Sequence, residues 1–258
     1  NKVLKDMKKL LSLLATIALT AGIASAQDIN QATDAYNSGA AALSNGEKTS
    51  ALEYFQQALS MASTLGADAA EIVANCKGII PQLNLSIAKD MIKAGEFDNA
   101  IAKLEETTKI AGEYEAADVV AEVSDLVPQV YMQKGGSMIN AKNYAAAADA
   151  FKKVLEINPS NGTAYVRLGM ALAGAGQTDE AIEAYKKAAE NGQEKTANKQ
   201  IATIYLKQAA AALKAKDFAK AANASLESNK YLESAQAYRI AGQASQLLGK
   251  ATEAIANF

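Results

Sequence analysis

The stretch that decides the fold consists of two consecutive segments of similar pattern, PQVYMQKGGSMINAKNYAAAADAFKKVLEINPS (128–160) and NGTAYVRLGMALAGAGQTDEAIEAYKKAAENGQ (161–193). In each segment a tyrosine precedes a glycine by four residues, and further on an alanine precedes an aromatic residue by four. All four positions recur 34 residues later in the second segment. Recurrence at a fixed period of this length indicates a repeat architecture, in which no unit buries its apolar face alone.

The pattern resembles the tetratricopeptide repeat, whose unit has 34 residues in two antiparallel helices. That family carries a large residue at position 4, a small one at 8, alanine at 20 and 27, an aromatic at 24 and often proline at 32. The first segment fills these positions with Tyr131, Gly135, Ala147, Phe151 and Pro159, and the second with Tyr165, Leu168 (position 7), Gly169, Ala181, Tyr185 and Ala188. Small residues at 8 and 20 let the paired helices approach, and the aromatics at 4 and 24 fill the spaces between successive pairs.

Weaker copies extend the resemblance over residues 30–258. They are represented by Gly39, Ala51, Phe55 and Ala58; by Ala88, Phe97, Ala100 and Leu104; by Tyr205, Ala209, Phe218 and Ala221; and by Tyr238, Gly242, Ala254 and Phe258. Leu104 and Ser225 stand where the family has an aromatic. The resemblance implies an all-α, right-handed α-solenoid over 27–258, with about six repeats starting near 32, 81, 128, 162, 202 and 235. The last copy stops at Phe258, so either the natural chain continues or this truncated helix packs against another surface.

Two junctions are longer than the family spacing. The starts near Ala32, Pro81 and Pro128 lie 49 and 47 residues apart, and the extra segments 69–74 and 116–121 resemble each other. Both carry apolar residues at helical spacing, which predicts lengthened helices. Each proline either kinks such a helix or lies in the first turn of the next one.

The alanines at position 20 give a first testable prediction. Replacing Ala147 or Ala181 with leucine should overpack the helix pair and lower the free energy of unfolding by about 1–3 kcal/mol. Thermal unfolding followed by circular dichroism measures this loss, and an unchanged melting temperature would contradict the assigned register.

The amino terminus has the pattern of a secretory signal peptide. Lys8 and Lys9 precede an uncharged apolar run of 15 residues, 10–24, and Ala24-Ser25-Ala26 has the small-x-small form of a cleavage site. This run is shorter than the about 20 residues that span a bilayer. We therefore expect cleavage after Ala26 and export, to the periplasm or another extracytoplasmic space of a bacterium. Met7 is a better translation start than Asn1, which places residues 1–6 upstream of it or marks them as a fragment artefact.

Charge and residue usage exclude several classes of function. From Gln27 onward the chain has 22 basic and 27 acidic side chains, a net charge of −5, which argues against binding nucleic acid or anionic membranes. The chain has no histidine, its acid pair Glu105-Glu106 points in different directions on a helix, and Gly174-Ala175-Gly176 lacks the context of a phosphate loop. The single cysteine, Cys76, has apolar neighbours and is predicted to be a small buried hydrophobe. We predict no catalytic residue, no cofactor and no metal.

The resemblance places a binding surface on the concave face, lined by the first helix of each pair. Its contact positions are filled by Tyr36, Asn37, Gln82, Lys89, Gln129, Met132, Gln133, Arg167, Met170, Lys207, Arg239 and Gln243. The only two arginines of the chain, Arg167 and Arg239, are among them. They either bind an acidic or C-terminal peptide segment, because guanidinium groups recognise carboxylates, or are solvated and pair with nearby glutamates. The lysine and asparagine carboxylate clamp of one family subgroup is not reproduced here.

The sequence thus predicts an exported scaffold that binds a protein or peptide along its concave face and is not an enzyme. The alternative is a structural subunit that self-assembles into a homo-oligomer through its open C-terminal repeat end, since stacked repeats end in an apolar face. The lysine runs Lys152-Lys153 and Lys186-Lys187 are predicted to lie on a solvated outer face.

Overall fold

The computed structural model describes residues 26–250, 254 and 256. The predicted signal peptide, apart from Ala26, and most of the segment predicted as the last repeat's second helix lie outside the described residues. The described part contains no strand. Its α-helices are α1 (Ala26–Ser44), α2 (Lys48–Ala62), α3 (Ala70–Ala94), α4 (Phe97–Glu113), α5 (Ala117–Asn140), α6 (Tyr144–Ile157), α7 (Gly162–Gly174), α8 (Thr178–Ala188), α9 (Glu194–Lys214), α10 (Phe218–Tyr231) and α11 (Ala235–Leu247). A 3₁₀ turn, Gly66–Ala69, precedes α3, and a kinked segment, Ala189–Gln193, in which Gly192 has a φ of 83°, precedes α9. The predicted all-α class is confirmed.

The chain divides into two compact units, residues 1–130 (unit 1) and residues 131–258 (unit 2), and the boundary falls within α5. In unit 1, α1 packs on α2, α2 on α3 and α3 on α4. In unit 2, α7 packs on α8, α8 and α11 on α9, and α10 on both α9 and α11. Packing of consecutive helices on one another is the arrangement of an α-solenoid.

Each first helix ends in the same way. A residue one or two positions beyond the helix end adopts a left-handed conformation, with φ of 83° at Gly46 and 80° at Gly176. The amide of the residue that follows it donates a hydrogen bond to the carbonyl five residues earlier in the chain. Glu47 N donates to Ala42 O at 2.9 Å in the first of these turns. This is a Schellman cap, for which glycine is the favoured residue because it has no Cβ. At two of these turns lysine takes the left-handed position, as Lys142 and Lys216.

Three glycines touch an aromatic ring sixteen residues later in the chain. A Cβ built on Gly135 would meet the ring of Phe151 at 2.5 Å, and the corresponding distances are 3.0 Å from Gly39 to Phe55 and 2.7 Å from Gly169 to Tyr185. The three rings are 0–1% exposed. Positions 8 and 24 thus meet directly, because the first helix lies against the ring.

Two other helix pairs have alanine at position 8 and a residue smaller than an aromatic one at position 24. Ala88 and Leu104 take the two places in α3 and α4, and Ala209 and Ser225 take them in α9 and α10; all four are buried. The Ser225 hydroxyl donates to Ala221 O at 2.9 Å, and Ser228 donates to Ala202 O at 2.9 Å, linking α10 to α9. Glycine at position 8 is paired with an aromatic residue at position 24, and alanine at position 8 with a smaller residue at position 24. The combined side-chain volume of the two positions therefore varies less than the volume at position 24 alone.

The lengthened helices are present, with 25 residues in α3 and 24 in α5. Pro81 and Pro128 lie in their interiors, so neither begins a new helix. Burial on both sides of Pro81, at Ile79, Ile80 and Leu83, holds the helix together across the residue that cannot donate a backbone hydrogen bond.

The helix bounds locate the predicted repeat starts. Those near 162 and 235 coincide with the first residues of α7 and α11, whereas those near 32, 81, 128 and 202 fall inside helices that begin earlier. The number of repeats, the handedness of the solenoid and the packing of its truncated last helix stay predictions.

Candidate functional site

The first helices of the pairs carry the predicted binding residues, and we call their exposed sides the first-helix face. In α1, Asn37 is exposed, but Tyr36 is 2% exposed and its ring meets Phe55 edge-on at 5.3 Å between centroids. The prediction placed Tyr36 on the surface. Its neighbours Ala32, Ala35 and Gly39 lie on the buried side of the same helix, so its side chain forms part of the core.

Two predicted contact residues of unit 1 join neighbouring first helices. Gln82 Nε2 of α3 donates to Asp118 Oδ2 of α5 at 2.9 Å, and Lys89 Nζ pairs with Glu122 Oε1 at 2.8 Å. Gln82 and Lys89 are both partly buried. This part of the first-helix face is therefore polar, and its side chains are already paired with one another. A partner here would have to displace existing contacts.

The predicted residues of α5 are only partly available. Gln129 and Gln133 are exposed, and Gln129 Nε2 donates to Asp125 O at 2.9 Å. Met132 packs against the core of unit 2. The glutamines therefore contribute polar surface, while the methionine mainly contributes packing.

Three first helices of unit 2 each expose a cation at position 5 or 6 of the repeat. Arg167 and Lys207 take position 6, and Arg239 takes position 5. Arg167 of α7, Lys207 of α9 and Arg239 of α11 are exposed, and we call them the cationic row. Within the part of the chain that the structure describes, none of the three forms an ion pair. The pairing of the arginines with nearby glutamates, one of the two alternatives left open by the sequence, is thus not seen there.

Apolar and amide groups accompany these cations. Met170 lies one turn after Arg167 and is 41% exposed, Tyr238 precedes Arg239 and is 36% exposed, and Gln243 is exposed on the same helix. Guanidinium groups donate two parallel hydrogen bonds to a carboxylate, and exposed methionine adapts to varied apolar side chains. The surface can therefore recognise an acidic chain that also presents apolar residues.

Unit 2 contains a groove of about 520 Å³ that the sequence did not predict. Tyr165, Leu168 and Leu172 of α7, part of the exposed side of α8, and Tyr205 of α9 line it. The family pattern assigns Tyr165 and Tyr205 to the spaces between helix pairs, yet both are only half-buried. The rings at position 24 are the fully buried ones, and those at position 4 form an accessible wall.

Charges and rings alternate along this groove. Lys187 Nζ lies 5.8 Å from the centre of the Tyr165 ring, a cation–π contact, and Lys186 Nζ pairs with Glu183 Oε1 at 2.7 Å. Tyr205 stacks on Tyr231 with centroids 6.0 Å apart, and burial together with the charge of nearby groups raises the pKa of Tyr205. The pair Lys186-Lys187 thus borders a groove, whereas the sequence predicted only a solvated face.

A second groove, of about 530 Å³, lies in unit 1 where the turn between α1 and α2 meets the end of α3. Lys48 pairs with Asp90, and Lys93 Nζ lies 3.0 Å from the other Asp90 oxygen. Partial burial acts to raise the pKa of Asp90, but the hydrogen bonds and charges of the two lysines outweigh it and lower that pKa. The carboxylate is satisfied by its own neighbours, which indicates a structural role.

Cys76 is fully buried in the core of unit 1, as predicted, and burial raises the pKa of its thiol to about 12. Because the thiolate is the reactive form, we expect no reaction with Ellman's reagent in the folded protein at pH 8. In denaturant the thiol should react fully. Rapid reaction of the folded chain would show that the α2–α3 packing opens readily.

Several solved structures share the helical pattern at low similarity. A crystal structure of the MamA protein is 20% identical and covers 69% of this chain and 87% of its own, with a TM-score of 0.38. MamA 41-end from Desulfovibrio magneticus RS-1 is 16% identical, with 89% and 92% covered and a TM-score of 0.30. PilW, a widely conserved type IV pilus biogenesis factor, is 16% identical, with 69% and 90% covered and a TM-score of 0.34. Similarity at this level supports neither a shared partner nor a shared assembly.

No curated protein matches the sequence. In the described residues no helix combines the length and the hydrophobicity that crossing a bilayer requires. Residues 35–64 of unit 1 and 138–203 of unit 2 match the tetratricopeptide repeat family. These segments contain the contacts of Gly39 with Phe55 and of Gly169 with Tyr185. The matches in both units support a tetratricopeptide-repeat protein.

Proposed function

We propose that this protein is a non-catalytic scaffold that binds a protein or peptide partner on the first-helix face of unit 2. The cationic row carries this proposal, since three exposed cations on successive first helices have no ion-pair partner within the described residues. An acidic segment suits these exposed cations, because each carboxylate can be met by a cation without burying an unpaired charge. Met170 and Tyr238 offer contacts for apolar side chains of the same segment.

A comparison of three bait proteins in pull-downs tests the proposal. The row variant carries Arg167→Gln, Lys207→Gln and Arg239→Gln, and the matched control carries Lys152→Gln, Lys153→Gln and Lys220→Gln on second helices. Both lose three exposed charges. We expect a partner that the wild-type protein and the control recover from an envelope extract and the row variant does not. Equal recovery by all three would contradict the assigned surface.

We further propose export with cleavage after Ala26. The cleavage point fits the fold, because the first buried side chain of α1 is Ile29, so the mature chain keeps the residues that pack α1 on α2. Amino-terminal sequencing of the protein from its source should begin at Gln27. An uncleaved chain recovered from the cytoplasm would contradict export.

The alternative of self-assembly through the C-terminal repeat end concerns residues that lie largely outside the described part, and it stays a prediction. The first-helix face is the better supported site because its side chains and their contacts are defined.

A further inference from the structure

Charge is segregated between the two units. Residues 26–130 contain six lysines and 16 aspartates and glutamates, a net charge of −10. Residues 131–250 contain 14 lysines, two arginines and ten acidic residues, a net charge of +6. The whole chain has a net charge of only −2, so opposite charges are separated along a nearly neutral protein.

The basic excess of unit 2 is concentrated on α9. Four lysines of this helix are exposed, and its only acidic residue is Glu194, at its first position. At 100° per residue the four lie within roughly a third of the helix circumference, so they form one stripe. None of them forms an ion pair among the described residues. The lysine stripe consists of Lys195, Lys199, Lys207 and Lys214.

The acidic excess of unit 1 is also exposed. Asp118, Glu122 and Asp125 follow one side of α5 at spacings of four and three residues; Gln82 donates a hydrogen bond to Asp118, and Lys89 pairs with Glu122. Other exposed acidic side chains of this unit form no ion pair among the described residues, namely Asp34, Glu53, Glu71 and Glu105. Little of the negative charge is therefore neutralised within the unit.

We propose that the acidic unit 1 of one copy binds the basic unit 2 of a second copy, head to tail. This inference rests on the proposed function, because the lysine stripe shares Lys207 with the cationic row, and it names the acidic partner as another copy of the chain. A contact between unlike surfaces leaves one acidic and one basic unit free, so it propagates into a chain or closes into a ring.

Charge also decides against other arrangements. A symmetric dimer through either charged surface would bring like charges together, which is unfavourable. An anionic membrane or nucleic acid would attract unit 2 but repel unit 1, whose charge is larger. A second copy is the partner that satisfies both units at once.

Sedimentation velocity of the protein, purified in the form its organism produces, tests the inference. We expect the weight-average sedimentation coefficient to rise with protein concentration at about 20 mM salt and to fall to the monomer value at about 500 mM, because salt screens exposed charges. A monomer at both salt concentrations overturns the inference.

Two variants show whether the contact joins unlike units. The basic-reduced variant carries Lys195→Gln, Lys199→Gln, Lys207→Gln and Lys214→Gln. The acid-reduced variant carries Asp34→Asn, Glu53→Gln, Glu71→Gln, Glu105→Gln and Asp125→Asn.

Each variant alone should remain monomeric at low salt. An equimolar mixture should form dimers that grow no further, because each dimer uses the one intact acidic unit and the one intact basic unit. Self-association of either variant at the wild-type level, or a mixture that stays monomeric, overturns the head-to-tail contact.

Titration with a labelled acidic peptide separates this inference from the proposed function. A wild-type protein that binds the peptide and stays monomeric overturns head-to-tail association and leaves peptide binding in place. A wild-type protein that neither binds the peptide nor associates overturns both.

Discussion

Replacing Phe151 with alanine is expected to lower the free energy of unfolding by about 3–5 kcal/mol, the range for buried aromatic residues truncated to alanine. Phe151 is 0% exposed and belongs to the core that joins α6, α7 and α8. Its ring lies directly against the backbone of α5 at Gly135. Truncation would remove these contacts and leave a cavity that rigid helices on both sides cannot close.

Urea unfolding followed by circular dichroism measures this loss. Tyr54→Ala provides the control, since Tyr54 is an aromatic residue on α2 that is 40% exposed. Its truncation should change the free energy of unfolding by only about 0.5 kcal/mol. Comparable losses for the two variants would show that Phe151 does not occupy the core position assigned to it.

The second prediction is that alanine substitution has opposite effects on the free energy of unfolding at two adjacent glycines. Gly135→Ala should destabilise by about 1–3 kcal/mol, because the new Cβ would lie 2.5 Å from the Phe151 ring, which has no free space to move into. Gly136→Ala, one residue later in the same helix, meets nothing within 4 Å. It should stabilise by about 0.5–1 kcal/mol because alanine has the higher helix propensity.

A double variant tests whether positions 8 and 24 are coupled. Gly135→Ala combined with Phe151→Leu reproduces the pair that Ala88 and Leu104 form between α3 and α4. We expect it to lose less stability than the sum of the two single changes, with a coupling of about 0.5–3 kcal/mol. Additive losses would mean that the glycine and the ring do not constrain each other.

This pairing shows why the sequence predicted so much of the fold. Sixteen residues separate Gly39 from Phe55, as they separate Gly135 from Phe151, because one turn and two helical segments of fixed rise bring these places together. This contact depends only on the lengths of the turn and of the two helical segments, and the spacing of residues within one repeat determines these lengths. Where the aromatic is missing, at Leu104, the same spacing still located the helix pair.

The long helices show where local pattern was insufficient. A proline after an apolar segment is compatible with a kink, with a first turn and with an uninterrupted helix. Pro81 lies inside α3 because Ile79, Ile80 and Leu83 are all buried around it. That burial is tertiary information, and the residues next to the proline do not contain it.

The candidate site was predicted only in part, because some of its features follow from repeat position and others depend on tertiary contacts. Exposure of Arg167 and Arg239 followed from their place in the repeat, and the structure confirms it. The cation–π contact of Lys187 with Tyr165 was not predicted, since it depends on the packing of α8 against α7. Tyr36 was predicted to be exposed because its position in the family pattern is a contact position. The pattern contains no information on individual side-chain contacts, so the packing of Tyr36 on Phe55 was not predicted.

Fluorescence anisotropy with a labelled peptide of about ten residues, alternating glutamate and leucine, tests most directly whether the cationic row holds an acidic partner. The account predicts saturable binding to the wild-type protein and to the second-helix control with Lys152→Gln, Lys153→Gln and Lys220→Gln. It predicts at least about tenfold weaker binding to the variant with Arg167→Gln, Lys207→Gln and Arg239→Gln. Equal affinity for all three proteins, or no binding to any of them, would contradict it.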